Sequence, residues 1–60
     1  MLYILIYVQP GGWEIALRFR EIAGEDAVYK SIVKPLSFKA DRVYKVHSDD
    51  TCEVLKGDVA

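Results

Sequence analysis

The chain contains few of the residues that build covalent, metal-bound or membrane-bound structures. It has one cysteine and one histidine among 60 residues, so it cannot form an intrachain disulfide and lacks a paired set of zinc ligands. Its apolar run over residues 1–8 is far shorter than the roughly 18 residues that a membrane-spanning helix needs. The run has no charged segment before it and no small-residue cleavage site after it, which argues against a secretory signal. These features predict a cytoplasmic protein with no membrane partner.

The charges nearly cancel along the whole chain but are unevenly distributed. The formal net charge is −1, which gives no overall attraction to nucleic acid or to an anionic membrane. Residues 18–45 carry seven basic and four acidic side chains, a net of +3, whereas residues 46–60 carry one basic and four acidic side chains, a net of −3. The two segments could attract each other within one chain or between two copies.

The length predicts one small domain over residues 1–60. A domain of this size buries only about 60% of its unfolded surface. At about 0.05–0.15 kcal/mol per residue, its stability is roughly 3–9 kcal/mol. Because no disulfide or metal is available as a staple, the 52% hydrophobic content predicts either a well-packed core or self-association.

The first twenty residues predict a β-hairpin. Residues 2–8 are apolar and rich in β-branched and aromatic side chains, and the turn sequence Gln9-Pro10-Gly11-Gly12 follows them. Residues 13–20 then alternate between apolar and mostly polar side chains, as in a strand with one buried face. The apolar set of this second strand is Trp13, Ile15, Leu17 and Phe19.

The first strand is apolar on both of its faces. We expect one face to form the core beside the apolar set of the second strand; it consists of Leu2, Ile4, Ile6 and Val8. The other face carries Tyr3, Leu5 and Tyr7. A strand that is apolar on both faces is normally covered on both, so this second face is expected to contact a second copy of the chain, as a two-fold dimer, or another protein. Leu5→Lys should then leave the fold intact, whereas Ile6→Lys should unfold it.

The rest of the chain predicts three more strands separated by turns. They lie over residues 27–33, 42–47 and 51–55, with turns at 23–26 and 48–50. Lys34-Pro35 should end the third strand, residues 36–41 form a loop or one helical turn, and residues 56–60 fray. Cys52 and Val54 are expected to face the core.

Five short antiparallel strands predict an all-β domain, either a meander or a small open barrel. The alternative is an α+β fold with a helix from about Ser37 to His47, because Leu36, Ala40 and Val43 have helical spacing.

Catalytic and metal-binding residue types cluster only at His47, Asp49, Asp50 and Cys52. A structural zinc site uses four ligands, and a reactive thiolate needs positive surroundings that this acidic stretch does not provide. A polar turn explains the cluster more simply. We therefore predict no metal, no cofactor and no enzymatic activity.

The predicted function is a non-enzymatic protein–protein interaction module that associates with itself, such as a small regulator or inhibitor. Tyrosine and arginine are favoured at protein interfaces, and the predicted contact residues are Tyr3, Leu5, Tyr7, Arg18 and Arg20. The alternative is a small β-barrel that stacks the bases of single-stranded nucleic acid on the tyrosines and holds phosphates with the arginines. The net charge makes this alternative the weaker one.

Overall fold

A computed structural model describes residues 1–22 and 24–57. They form a four-stranded antiparallel sheet with one helical segment between its second and third strands. The strands are β1 (Leu2–Val8), β2 (Glu14–Arg20), β3 (Arg42–Val46) and β4 (Cys52–Lys56), and their order in the sheet is β2-β1-β3-β4. The predicted small antiparallel β domain is confirmed. The α+β alternative also predicts a helix, but from about Ser37 to His47, whereas the observed helical segment covers residues 29–37.

The predicted hairpin of β1 and β2 is confirmed. Its loop consists of the three residues 10–12, because the Gln9 N–H donates to the Trp13 carbonyl (2.7 Å) and the Gly12 N–H donates to the Gln9 carbonyl (3.0 Å). Gly11 and Gly12 have φ angles of 96° and 91°, a region that glycine enters without a Cβ clash.

The length of this loop decides which side chains of the hairpin share a face. Gln9 pairs with Trp13 and does not belong to the loop. The pairing of β1 with β2 is therefore shifted by one residue from the register that a loop of 9–12 would give. A shift of one residue moves every side chain to the other face. The observed cross-strand pairs on one face are Tyr3 with Phe19, Leu5 with Leu17, and Tyr7 with Ile15.

The core therefore lies on the face of β1 that was predicted to be exposed. Tyr3 and Leu5 are 2% and 0% exposed, and they pack with Val33, Ala40 and Val43. The predicted exposure of Tyr3 and Leu5 is wrong because the pairing register is shifted by one residue. Because Leu5 is fully buried, we now expect Leu5→Lys to unfold the chain, whereas Ile6→Lys, on the half-buried face, should leave the fold intact.

The predicted third strand is wrong, because residues 27–33 are helical. A π-helical stretch, Tyr29–Val33, continues directly into an α-helical turn, Lys34–Ser37. We call residues 29–37 the crossover helix, because they connect β2 to β3 across the face that contains the core. Pro35 lies inside this helix and does not end a strand.

The side-chain spacing explains why this segment is helical. Tyr29 and Val33 are four residues apart and lie on the side of the helix that packs on the core, with Val28 beside them. Val33 is fully buried, whereas Ile32 and Leu36 are each 37% exposed. Packing of the apolar side of the helix outweighs the strand preference of its β-branched residues, which is a weak prior.

A buried carboxylate fixes the beginning of the helix. Glu21, which is 6% exposed, accepts hydrogen bonds from the N–H groups of Val28 (3.2 Å) and Tyr29 (2.8 Å). The first N–H groups of a helix have no partner within the helix, so Glu21 caps them from a distant position in the sequence. The backbone of Glu21 also pairs with Met1, which continues the β1–β2 ladder.

The second hairpin agrees with the prediction in its elements but not in its faces. β3 and β4 are joined by a turn in which the Asp50 N–H donates to the His47 carbonyl (3.0 Å). Cys52 pairs with Val46, which pairs with Leu2, so Cys52 lies on the face opposite the core. Both Cys52 and Val54 are exposed, and their predicted inward orientation is wrong.

Some predictions fall outside the described residues. These are the first position of the turn at 23–26, which is Ala23, and the last three residues of the fraying segment, 58–60. Within the described ranges, no helix has the length and apolar character needed to cross a membrane.

Candidate interaction surfaces

The helix covers one face of the sheet, and no described element covers the other, which we call the open face. Alternation along the strands and the pairing register place thirteen side chains there. They are Leu2, Ile4, Ile6 and Val8 of β1, Glu14, Ala16, Arg18 and Arg20 of β2, Arg42, Tyr44 and Val46 of β3, and Cys52 and Val54 of β4.

The open face has an apolar centre and a basic margin. Ile4 lies between Arg18 on β2 and Tyr44 on β3. Leu2 lies between Arg20 and Val46 in the same way. Long side chains cover apolar neighbours with their aliphatic or aromatic parts, which accounts for the partial burial of β1 on a face without a covering element.

The charges of the open face are only partly compensated. Arg42 and Glu14 form an ion pair with side chains that are 33% and 45% exposed. Among the described residues, Arg18 and Arg20 have no ion-pair partner. The β2 margin of the open face is therefore positive.

The structure does not bring the predicted contact residues together. Tyr3 and Leu5 lie in the core, and Tyr7 packs beside it with its hydroxyl donating to the Leu36 carbonyl (3.1 Å). Arg18 and Arg20 lie on the open face, on the opposite side of the sheet. The combined tyrosine and arginine surface predicted from the sequence does not exist in this fold.

The outer strand β2 is exposed on both of its faces. On the face that carries the core, Ile15 and Leu17 are 39% and 37% exposed, although their partners Tyr7 and Leu5 pack in or beside the core. The crossover helix shelters β1 and β3 but leaves this edge accessible. The sequence does indicate this surface, because residues 13–20 alternate between apolar and mostly polar side chains, as in a strand.

Two shallow clefts lie between the crossover helix and β4. One has a volume of about 280 Å³ and is bordered by Tyr29, Phe38 and Leu55, among others. The second, about 310 Å³, contains the tilted ring pair of Tyr3 and Tyr29, with centroids 5.4 Å apart. Lys45 Nζ lies 5.6 Å from the centroid of the Tyr3 ring, which is within the range of a cation–π contact.

The polar turn after β3 does not assemble the predicted cluster. His47 Nε2 lies 3.0 Å from Glu53 Oε1, while Asp49 Oδ1 accepts hydrogen bonds from the hydroxyl (2.6 Å) and N–H (3.0 Å) of Thr51. The Thr51 hydroxyl, followed by the Thr51 N–H, lowers the pKa of Asp49 below its ordinary value. Within residues 1–22 and 24–57, no three histidine, cysteine or acidic side chains are grouped to hold a metal ion. The turn is stabilised by its own hydrogen bonds.

No protein-family model, curated protein or solved structure matches the chain. Its function is therefore inferred from the open face, the β2 edge and the chemistry of their side chains.

Proposed function

We propose that the chain is a non-enzymatic protein–protein interaction module that associates with itself and binds another protein through the open face, as a small cytoplasmic regulator or inhibitor does. The observation that carries this proposal is the uncovered apolar centre of the sheet. β1 is apolar on both faces, and the crossover helix covers only one of them.

The composition of the open face supports a protein partner. Ile4 and Ile6 form its centre, Tyr44 lies beside Ile4, and Val8 and Val54 at its margins are each 46% exposed. Aromatic and arginine side chains around an apolar centre are typical of the buried part of protein interfaces. Lysine, which interfaces disfavour, does not occur among the side chains placed on this face.

The size of the open face favours a reversible contact. Strands about 4.8 Å apart and about 3.3 Å per residue give a face of roughly 400 Å² in projection. Exposed apolar patches of about 300–600 Å² are often functional. A standard protein interface uses about 800 Å² on each partner, so we expect weaker binding than in a permanent complex.

The charge of the β2 margin defines the chemistry of the partner. Arg18 and Arg20 are uncompensated among the described residues. A complementary protein presents carboxylates beside an apolar patch, because complementary charges speed encounter and fix orientation. Single-stranded nucleic acid is less well supported, since Tyr3 and Tyr7, the tyrosines predicted to stack bases, belong to the core side. Tyr44 is the tyrosine that the pairing register places on the open face.

Substitutions on matched surfaces test the proposal. Ile4→Lys changes the centre of the open face, and Phe38→Lys changes an apolar side chain that is 79% exposed elsewhere. We expect both variants to fold, with unchanged circular dichroism. A protein captured by the tagged wild type and by Phe38→Lys, but not by Ile4→Lys, would support the open face as the binding surface.

The opposite results have distinct meanings. A partner retained by Ile4→Lys binds elsewhere, and the open face is then not the site. Binding of a labelled single-stranded oligonucleotide at low salt, lost when Arg18 is replaced by alanine, would favour the nucleic-acid alternative. A wild type that stays monomeric in light scattering across the accessible concentration range would remove self-association.

A further inference from the structure

We infer that two copies of the chain pair through the free edge of β2, antiparallel and about a two-fold axis at Leu17. This inference rests on the proposed self-association and assigns it to one strand and one register. The partner at this edge is a second copy, while Arg18 and the apolar centre of the open face stay available to another protein.

β2 lacks several of the features that keep edge strands from pairing. It is a regular seven-residue strand, EIALRFR, that pairs on one side with β1. It contains no proline, no lysine and no register shift, which are usual protections of an edge. Its charged side chains have both signs and oppose only those pairings that bring like charges together. The opposite edge differs: β4 has five residues and a register shift in its pairing, and Lys56 Nζ is bound to the carbonyls of Ser37 and Phe38.

The hydrogen-bond pattern shows which backbone groups of β2 point outward. The β1–β2 ladder includes the Gln9 to Trp13 bond at one end and the reciprocal Met1 and Glu21 bonds at the other. Bonded pairs alternate in an antiparallel ladder, so the odd-numbered residues of β2 bond to β1. The even-numbered residues direct their N–H and carbonyl groups to the free edge; they are Glu14, Ala16, Arg18 and Arg20.

Charge and the length of the paired strand together favour one register. A two-fold pairing that uses the outward groups of the whole strand places Glu14 opposite Arg20 of the second copy, and Ala16 opposite Arg18. Moving the copies by two residues in one direction brings Arg18 opposite Arg18, which is repulsive. Moving them in the other direction also sets Glu14 opposite an arginine, Arg18, but it leaves Arg20 beyond the paired strand and shortens the ladder. Glu14 already binds Arg42, and a carboxylate has acceptor sites for both arginines.

The same register buries the exposed apolar side chains of β2. Ile15 lies opposite Phe19 of the second copy, and Leu17 lies opposite Leu17 on the axis. In this pairing Leu17 forms a non-hydrogen-bonded pair, in which Cα atoms approach to about 4.5 Å and side chains are closest. Phe19 of β2 packs against the core, whereas Ile15 and Leu17 are exposed, so the edge is open to a second strand at Leu17.

Disulfide trapping tests both the edge and the register. The native thiol is first removed with Cys52→Ser, because Cys52 is free and exposed. We expect Leu17→Cys in this background to form a covalent dimer on mild oxidation, since about 4.5 Å between Cα atoms is within the disulfide range. The matched control is Ile15→Cys, which has nearly the same exposure. In the dimer, the two copies of position 15 would lie about 13 Å apart along the strands. The Ile15→Cys variant should therefore remain monomeric on non-reducing gels.

Charge variants at the axis give an independent measurement. Leu17→Lys and Leu17→Glu should each weaken the dimer, because like charges meet at the axis. A mixture of the two should form a heterodimer, seen in light scattering or native mass spectrometry. Since Leu17 is 37% exposed, both variants should keep the fold.

The outcomes separate this inference from the proposed function. A wild-type dimer with selective trapping at Leu17 supports β2 pairing. A wild-type dimer in which Leu17→Cys does not cross-link, or cross-links no more than Ile15→Cys, overturns β2 pairing but leaves self-association intact. A wild type that is monomeric at every concentration, with no trapping at Leu17, overturns both.

Discussion

Replacing Leu5 and Ile4 in turn by alanine tests which face of β1 contains the core. The two residues are neighbours in the central strand but point to opposite faces. Leu5 is 0% exposed, so Leu5→Ala loses the transfer free energy of the removed carbons and leaves a cavity, together about 3 kcal/mol. Ile4 is only half-buried and its face is open. Ile4→Ala therefore creates no enclosed cavity and should cost about 1 kcal/mol.

The difference is large relative to the stability of the domain. The free energy of unfolding of the whole domain is roughly 3–9 kcal/mol, so Leu5→Ala removes between a third and all of this free energy. Urea unfolding followed by circular dichroism gives the free energies of unfolding, provided that the dependence on urea stays constant between variants. If Ile4→Ala lost as much stability as Leu5→Ala, the assignment of the core to the Tyr3 and Leu5 face would be refuted.

Three further predictions concern local features of the fold. Glu21→Ala removes the acceptor of the first helical N–H groups and should cost about 1–2 kcal/mol, with faster hydrogen exchange there; unchanged exchange would contradict the capping role. Gly57 and Gly12 both have positive φ angles, but a Cβ at Gly57 would clash with the Asp41 carbonyl, whereas a Cβ at Gly12 would meet nothing within 4 Å. Gly12→Ala should therefore lose roughly 1 kcal/mol of stability, and Gly57→Ala should lose more. The lowered pKa of Asp49 stabilises the fold above the ordinary value of 3.8, and this contribution is lost as the pH falls through the lowered pKa. The stability of the wild type relative to Asp49→Asn should therefore decrease on acidification below about pH 4, and a difference independent of pH would contradict the hydrogen-bonded carboxylate.

The sequence predicted the hairpin but not its faces, for a reason that lies in the loop. Alternation of side chains identifies the two faces of a strand, but when both are apolar it does not say which one is packed. Only the pairing register decides this, and the register depends on whether Gln9 belongs to the loop or to the strand. The candidate surface was misplaced for the same reason, since Arg18 and Arg20 were assigned to the side of the tyrosines.

The crossover helix was missed because two signals compete in one segment. Val28, Ile32 and Val33 are β-branched, which favours a strand, while the four-residue spacing of Tyr29 and Val33 favours a helix. Two interactions that stabilise the helix involve distant parts of the chain, so they cannot be read from the sequence of the segment itself. The cap comes from Glu21, seven positions before Val28, and Val33 is held by packing on the sheet.

The strand order β2-β1-β3-β4 also governs how the domain reaches its native state. β1 precedes the other described strands in the chain but lies inside the sheet, with Leu2 paired to both Arg20 and Val46. The β1–β2 hairpin can form as soon as residue 20 has been synthesised. The other side of β1 can pair only after β3 has been synthesised. At about 5–20 residues per second during synthesis, this interval lasts roughly 1–5 s. Throughout it, both apolar faces of β1 are exposed, and the arginines of β2 are the nearby charges that oppose aggregation of the hairpin.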